Sequence, residues 1–161
     1  MESIRTMFWK LPPRIKIYEA LGAIADGRVE VMENTAKVYS SSKKKVYIVE
    51  FDPSNNAITA NDNGSYYQGY LGYPAIAFLL VKQIISYNKT VLPWLRDIPW
   101  KDINTKFKND FEKTEQYVRE LVVGRKGDLK VLDEDIHDIE TAIFELSLEK
   151  LPSNRKPPEG Y

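Results

Sequence analysis

Apolar positions recur along the chain with a spacing that changes from helical to alternating and back to helical. Over Arg14–Asp26, apolar residues recur at intervals of three and four, the period of one face of an α-helix. Pro13 and Gly27 flank this stretch, and these residue types commonly begin and end helices. The pattern predicts an amphipathic N-terminal helix that stops at Gly27.

Alternating apolar and polar positions follow, and they predict strands joined by short turns. The candidate strands are Arg28–Glu33, Ala36–Tyr39, Lys45–Phe51 and Ala57–Ala60. Asp-Pro-Ser-Asn-Asn separates the last two, and it is a strong turn sequence because proline presets one φ angle and asparagine tolerates the left-handed region. Short connections of this kind favour an antiparallel meander of three to four strands.

Helical patterns return in the second half of the chain. Pro74–Tyr87 predicts a helix whose first residues are apolar on every side, so we expect it to be buried against the sheet. Two Pro-Trp pairs, at 93–94 and 99–100, are typical of turns that begin helices, and we assign both tryptophans to packing. Periodic stretches at Asp110–Val123 and Asp133–Lys150 predict two long helices.

The order of these elements predicts an α+β fold. It has an N-terminal helix, a small antiparallel β-meander of three to four strands packed on a buried helix, and a helical C-terminal half. The pattern divides residues 1–90, a sheet-and-helix unit, from residues 91–151, a helical extension that packs on it or shares a single domain with it. Residues 152–161 lack periodicity, which predicts a flexible tail.

Charge is balanced over the whole chain but not along it. The 161 residues include 23 basic and 23 acidic side chains, so no global charge draws the protein to nucleic acid or to an anionic membrane. Residues 1–51 hold nine basic and six acidic residues, whereas residues 128–149 hold one basic and eight acidic residues. This polarity marks either a face for a partner or a solvated helix.

The residue inventory removes whole classes of chemistry. Cysteine is absent, which excludes thiol catalysis and cysteine-ligated zinc. His137 is the single histidine; it could hold a metal together with Asp133, but acidic residues at a helix start also favour the helix dipole, and we prefer that interpretation. No phosphate-binding loop motif occurs. We predict no catalytic residue, no metal and no cofactor, and we incline to a protein that is not an enzyme.

The longest apolar run, Pro74–Val81, is far shorter than the ~20 residues that span a bilayer. The first ten residues have no apolar core of the kind found in signal peptides. We therefore expect a cytoplasmic protein with no membrane contact.

Two clusters are candidates for binding. Four tyrosines share one glycine-containing loop and could stack on bases or anchor a protein, or could lie over the core rim with their hydroxyls in water. They are Tyr66, Tyr67, Tyr70 and Tyr73. Lys43, Lys44 and Lys45 at a hairpin tip, with Arg28, could contact phosphates, although lysines at such a turn are often only solvated.

The middle of the chain resembles the layout of SWIM-type zinc domains. The shared features are a Gly27-Arg28-Val29 turn, the strand Val46–Val49, and a helix that starts Gly72-Tyr73-Pro74-Ala75-Ile76-Ala77. The family's metal ligands would fall at Ile58, Ala60, Gly72 and Pro74. None of these can bind zinc, so the resemblance implies a core in which apolar packing replaces the metal, in a family associated with nucleic-acid or protein binding.

Three functions follow as hypotheses. The first is a non-catalytic binding or interaction module with a protein partner, or with a second copy that would use the apolar seam Ile136, Ile139, Ile143 and Leu146; the same seam would also suit packing within one chain. The second is a nucleic-acid-binding protein that uses the lysine turn and the tyrosine loop. The third is a small-molecule binder, or a carboxylate-dependent enzyme, with a pocket between the sheet and the helical half. We rank the protein partner first.

Overall fold

The computed structural model of the chain describes residues 7–159 and confirms the α+β fold class. The main helices are α1 (Ile15–Ala25), α2 (Tyr73–Val81), α3 (Trp100–Lys106), α4 (Phe111–Gly124) and α5 (Leu129–Leu146). The strands are β1 (Val29–Met32), β2 (Thr35–Tyr39), β3 (Val46–Asp52), β4 (Ala57–Ala60) and β5 (Glu149–Lys150). A π-helical turn at Gly64–Gln68 and a 3-10 helix at Lys89–Leu95 complete the order.

Strands β1 to β4 form the predicted antiparallel meander, each strand paired with the next in sequence. The turn between β3 and β4 forms because the Asp52 carboxylate accepts hydrogen bonds from the Ser54 backbone N–H at 3.1 Å and from the Asn55 amide at 2.7 Å. Such an aspartate turn satisfies backbone donors locally. Val49 of β3 is buried and lies opposite Ala60 of β4.

The sequence pattern was wrong about the end of the last helix. The pattern predicted a helix up to Lys150, but α5 ends at Leu146. The next residue, Ser147, adopts a left-handed φ of 49°. The chain then forms β5, which pairs in parallel with β4. The Asn56 amide donates to the Leu146 carbonyl at 2.8 Å. A tertiary pairing therefore ends the helix, and local periodicity cannot report it.

The buried helix α2 is confirmed, but it is shorter than predicted. Residues 74–80 are all buried, and the Phe78 ring packs on Phe51 of β3 with a centroid distance of 5.7 Å. The helix ends at Val81 rather than at Tyr87, because Gln83 takes a left-handed φ of 63°. This helix lies between the sheet and α1 and forms the centre of the core.

The helical half packs on the sheet half through one continuous hydrophobic cluster. Val118 and Val122 of α4 belong to it, as do the α5 residues Ile136, Ile139 and Ile143. The apolar seam predicted on α5 is therefore buried within the chain over these three positions.

Residues 151–159 have no regular secondary structure, yet they contact the sheet. The Asn61 amide donates to the Lys156 carbonyl at 3.0 Å, and Arg155 forms an ion pair with Glu50 at 3.3 Å. Within residues 7–159, no helix is long and apolar enough to cross a membrane.

Candidate functional site

A cleft of about 310 Å³ opens where the helical half meets the sheet half. One wall comes from α1 and from the turn between β2 and β3, and the other comes from α3 and the residues that follow it. Five charged side chains line the cleft: Lys16, Arg28, Lys45 and Lys101 are cationic, and Glu19 is anionic. Positive charge thus dominates this cleft in a chain whose net charge is zero.

Both carboxylate oxygens of Glu19 contact donors within the protein. Its carboxylate lies 3.2 Å from the Lys16 ammonium and accepts a hydrogen bond from the Asn104 amide at 2.8 Å. Burial by itself would lower the pKa of Lys16, but the negative charge of Glu19 and other neighbours raises that pKa above its usual value. Lys16 therefore stays protonated at neutral pH and neutralises Glu19.

Arg28 is the most constrained cation of the cleft. It follows Gly27, whose φ of 67° ends α1, and its own backbone N–H donates to the Ala23 carbonyl at 2.9 Å. The guanidinium is 3% exposed; Nε donates to Asp26 at 3.2 Å and Nη1 donates to the Tyr39 carbonyl at 2.7 Å. Nη2 is buried and has no acceptor among the described residues.

A buried donor without an acceptor costs about 1–3 kcal/mol, and more when the group is charged. The other buried unpaired donor of the cleft lining, the indole Nε1 of Trp100, lies against Gly22 of α1, so tightly that a Cβ there would stand 2.7 Å away. That indole is packed on the helix. Arg28 Nη2 is the other buried donor of the cleft lining that has no acceptor among the described residues.

The serine turn, residues 40–42, offers hydroxyl groups beside Arg28. Ser40 Oγ accepts from the Lys45 backbone N–H at 3.2 Å, and Ser41 Oγ accepts from the Lys101 backbone N–H at 3.2 Å. The second contact ties the hairpin to the first turn of α3. The Ser41 hydroxyl proton is therefore left to be donated, whereas Ser40 and Ser42 share one hydrogen bond between their hydroxyl groups at 3.2 Å.

Two tyrosines line the cleft in addition to Trp100. Tyr47 on β3 and Tyr73 at the start of α2 meet edge to face, with ring centroids 6.0 Å apart. Burial raises the pKa of both phenols, that of Tyr73 well above its usual value, and the charge of Asp62 also raises the pKa of Tyr47. Both are neutral phenols at neutral pH, so each keeps a proton to donate.

A buried carboxyl group behind these tyrosines positions the start of α2. Asp62 accepts from the Ser65 hydroxyl at 2.6 Å and from the Ser65 backbone N–H at 3.2 Å. The Gly72 N–H donates to Ser65 Oγ at 3.1 Å, and a Cβ at Gly72 would come within 2.0 Å of the Asp62 carboxylate. Burial raises the pKa of Asp62, although the hydrogen bonds from Ser65 lower it in part.

The structure divides the residues that were predicted to bind. Arg28, Lys45 and Tyr73 come together in the cleft. Lys43 and Lys44 are exposed at the tip of the same turn and do not line it.

The remaining predicted tyrosines lie elsewhere. Tyr66 and Tyr67 line a different, open groove with Trp9 and Lys150, and Tyr70 packs on Gly64. Tyr73 is therefore the one member of the tyrosine loop that shares the cleft with Lys45, whereas Tyr66, Tyr67 and Tyr70 do not line it.

Several residues of the cleft gave no signal in the sequence. In the sequence, Lys16 and Glu19 are ordinary polar positions of an amphipathic helix. Asn104 belongs to a short helix whose sequence has no distinctive pattern. The nearest sequence signal to Ser41 was the predicted lysine turn, which begins two residues later at Lys43.

His137 and Asp133 lie on a separate groove between α4 and α5. The Asp133 carboxylate is held by the Arg119 guanidinium through both of its oxygens. The neighbouring Arg14 pairs with Glu115 at 3.5 Å and with Glu140 at 3.8 Å. In the described part of the chain, no group of three or more histidine, aspartate or glutamate side chains is placed to hold a metal ion.

The four positions that align with SWIM zinc ligands are packed into the core. Ile58 and Ala60 are buried in β4, and Gly72 and Pro74 are buried where α2 begins. The Asp62 carboxylate fills the space beside Gly72. The SWIM resemblance itself stays a prediction, because no comparison bears on it.

Comparison with known proteins assigns the chain to a family. Residues 9–149 match the family described as "Uncharacterised conserved protein UCP014422". The chain belongs to this family. The matched range covers every residue that lines the cleft, so the cleft lies within the part shared with this family. No curated protein matches the chain, and no solved structure matches it.

Proposed function

We propose that this member of the UCP014422 family binds a small anionic molecule in the cleft between its two halves. The observation that carries the proposal is Arg28, whose guanidinium is buried in the cleft with Nη2 lacking an acceptor. Buried charged donors are normally paired. Arg28 already forms an ion pair with Asp26 at 3.2 Å, and a bound anion would supply the acceptor that Nη2 lacks.

The charge around Arg28 supports the same function. Lys16, Arg28, Lys45 and Lys101 all line the cleft, and Glu19 is the one acidic residue in its lining. A concave site with an excess of one sign of charge concentrates ions of the opposite sign. The cleft volume of about 310 Å³ falls at the lower end of the range for small-molecule sites.

Binding without catalysis is the version that the contacts favour. A general base needs a carboxylate or an imidazole that can take a proton from the substrate. Glu19 is the one acid that lines the cleft, and both of its oxygens accept hydrogen bonds or ion-pair contacts within the protein. This places the proposal with the third of the sequence hypotheses, as a small-molecule binder.

A thermal-shift and calorimetric titration with simple anions tests the proposal. We expect phosphate, sulfate or citrate to raise the melting temperature at low salt, with a smaller effect as salt increases, because added ions screen the charges. Arg28→Gln should weaken the response about tenfold or more, since a hydrogen bond to a charged group contributes about 1.5–3 kcal/mol.

The double variant Lys43→Gln, Lys44→Gln is the matched control. It removes two charges from the same turn at positions that do not line the cleft, so its titration should resemble that of the wild type. An equal loss in this control would show that general charge, rather than the cleft, attracts the anion. Absence of any response to all three anions would refute the proposal.

The protein-partner hypothesis also stays a prediction. Leu11 and Phe144, which are 54% and 67% exposed, line a shared open groove at the end of α5. Exposed apolar side chains of this kind are common at interfaces. The oligomeric mass in solution is the measurement that bears on self-association.

A further inference from the structure

We infer that the anion recognised in the cleft is the phosphate group of a phosphate monoester, and that the organic part of this molecule is small and carries several hydroxyl groups. This inference rests on the proposed function. Unpaired donors at the serine turn favour a phosphate group, and further polar side chains of the same cleft favour the hydroxyl groups.

The donors at the serine turn belong to one place in the fold. Arg28 Nη1 contacts the carbonyl of Tyr39, the residue directly before Ser40, so the guanidinium lies at the foot of the turn. Arg28 Nη2 and the Ser41 hydroxyl proton have no acceptor among the described residues. Ser40 and Ser42 share one hydrogen bond at 3.2 Å, so one of these two hydroxyl protons is also left.

Three such donors suit a phosphate better than a carboxylate. A carboxylate presents two oxygens in one plane, whereas a phosphate monoester presents three terminal oxygens around a tetrahedral centre. Nη2 of Arg28 can donate to one phosphate oxygen while Nε and Nη1 keep their contacts with Asp26 and Tyr39, and the serine hydroxyl groups can donate to the other oxygens.

The cleft has room for more than the phosphate group. Its volume of about 310 Å³ corresponds to roughly ten water molecules at ~30 Å³ each. The lining of the cleft also includes Asn63 and Asn109, whose side-chain amides have no hydrogen-bond partner within residues 7–159, and the neutral phenols Tyr47 and Tyr73. Amides both donate and accept, which is what hydroxyl groups require.

Calorimetric titration of the full chain with matched probes tests this inference. The probes are inorganic phosphate, glucose 6-phosphate and AMP, with glucose and adenosine as their counterparts without phosphate, and citrate as a carboxylate. We expect glucose 6-phosphate or AMP to bind about tenfold or more tightly than inorganic phosphate, and glucose and adenosine to show no binding. The monoester that binds more tightly shows whether the organic part is a sugar or a nucleoside, and either result supports the inference.

Ser41→Ala removes one proposed donor, and Ser54→Ala makes the same change in the other hairpin, away from the cleft. We expect Ser41→Ala to weaken the preferred monoester about tenfold and Ser54→Ala to leave its affinity unchanged. Arg28→Lys is a second variant, because it keeps the charge but loses the paired donors; it should weaken the monoester more than it weakens citrate. The ³¹P chemical shift of the bound monoester gives a readout independent of heat.

Two outcomes would overturn the inference and leave the proposed function standing. In the first, citrate binds more tightly than every phosphate compound. In the second, inorganic phosphate binds as tightly as both monoesters, which would show that the cleft does not recognise the organic part of the monoester. If Ser41→Ala and Arg28→Lys bind the monoester as the wild type does, the assigned donors are wrong. If no probe binds, the inference and the proposed function fail together.

Discussion

At the scale of single residues, burial decides what each ionisable group in and around the cleft can do. Lys16 and Glu19 neutralise each other, Arg28 keeps one unpaired donor, and Asp62 holds the start of α2 from behind the tyrosines. A buried carboxyl group resists ionisation because its charged form loses contact with water. The pKa of Asp62 is raised for this reason, and the raised pKa has a measurable effect on stability.

Asp62→Asn should change how the free energy of unfolding depends on pH. In the folded protein the pKa of Asp62 is raised, so the folded state binds the proton more tightly than the unfolded chain does, where aspartate has a pKa of about 3.9. Its contribution to stability is present below that value and is lost as pH rises through the folded pKa. We expect wild type to lose stability relative to Asp62→Asn as pH rises from about 4 to 7.

Urea unfolding of both proteins at several pH values measures this difference. Glu134→Gln removes one carboxylate at an exposed position of α5 and serves as the control. A stability difference between wild type and Asp62→Asn that stays constant, or that grows in favour of wild type as pH rises, would contradict the expected sign.

At the scale of elements, side-chain caps explain where the two long helices begin. The Asp110 carboxylate accepts from the Lys113 backbone N–H at the start of α4, and Asp128 accepts from the backbone N–H groups of Lys130 and Val131 at the start of α5. Such caps satisfy donors that have no partner inside the helix. The sequence pattern predicted that this last helix starts at Asp133, one turn too late. The apolar seam indicated that start, whereas the capping residue Asp128 sets the actual one.

Asp128→Ala should lower the free energy of unfolding by about 1 kcal/mol, within the ~0.5–2 kcal/mol found for lost caps. The physical reason is the loss of the acceptor for two backbone donors at 2.9 and 3.3 Å. Urea unfolding at neutral pH measures the change. Glu134→Ala, also on α5 but exposed and away from the cap, should change stability by less than about 0.5 kcal/mol; equal losses for both variants would show that the cap contributes nothing.

The elements themselves were largely predictable, since their signals are local. Alternation predicted β1 to β4, and Gly27 marked the end of α1. The strand β5 was missed because it consists of two residues whose pairing partner, β4, lies about ninety residues earlier in the chain. Local pattern carries no information about such a contact.

At the scale of the whole molecule, the sheet half and the helical half share one hydrophobic core. The hydrophobic cluster runs from Leu21 of α1 and Phe78 of α2 to Val122 of α4 and Ile139 of α5 without a break. The cleft lies at the junction of the halves, so its shape depends on that core staying intact. A ligand that contacts both walls should stabilise the junction as well as the site.

We expect the two halves to unfold in one cooperative transition. Tryptophan fluorescence reports mainly on the helical half through Trp94 and Trp100, whereas far-UV circular dichroism reports on all elements. Because the core is continuous, both signals should have the same urea midpoint, and the calorimetric and van't Hoff enthalpies should agree. Two separate transitions would show that the halves form independent cores.

The sequence by itself determined the fold class and most of the helices and strands, because periodicity, turn residues and helix ends are properties of neighbouring positions. It also limited the chemistry, through the absence of cysteine and the single histidine. Only the tertiary structure decided which candidates share a site. Arg28, Ser41 and Lys101 belong to different elements, and a hairpin turn must meet the start of a helix before these residues line one cleft.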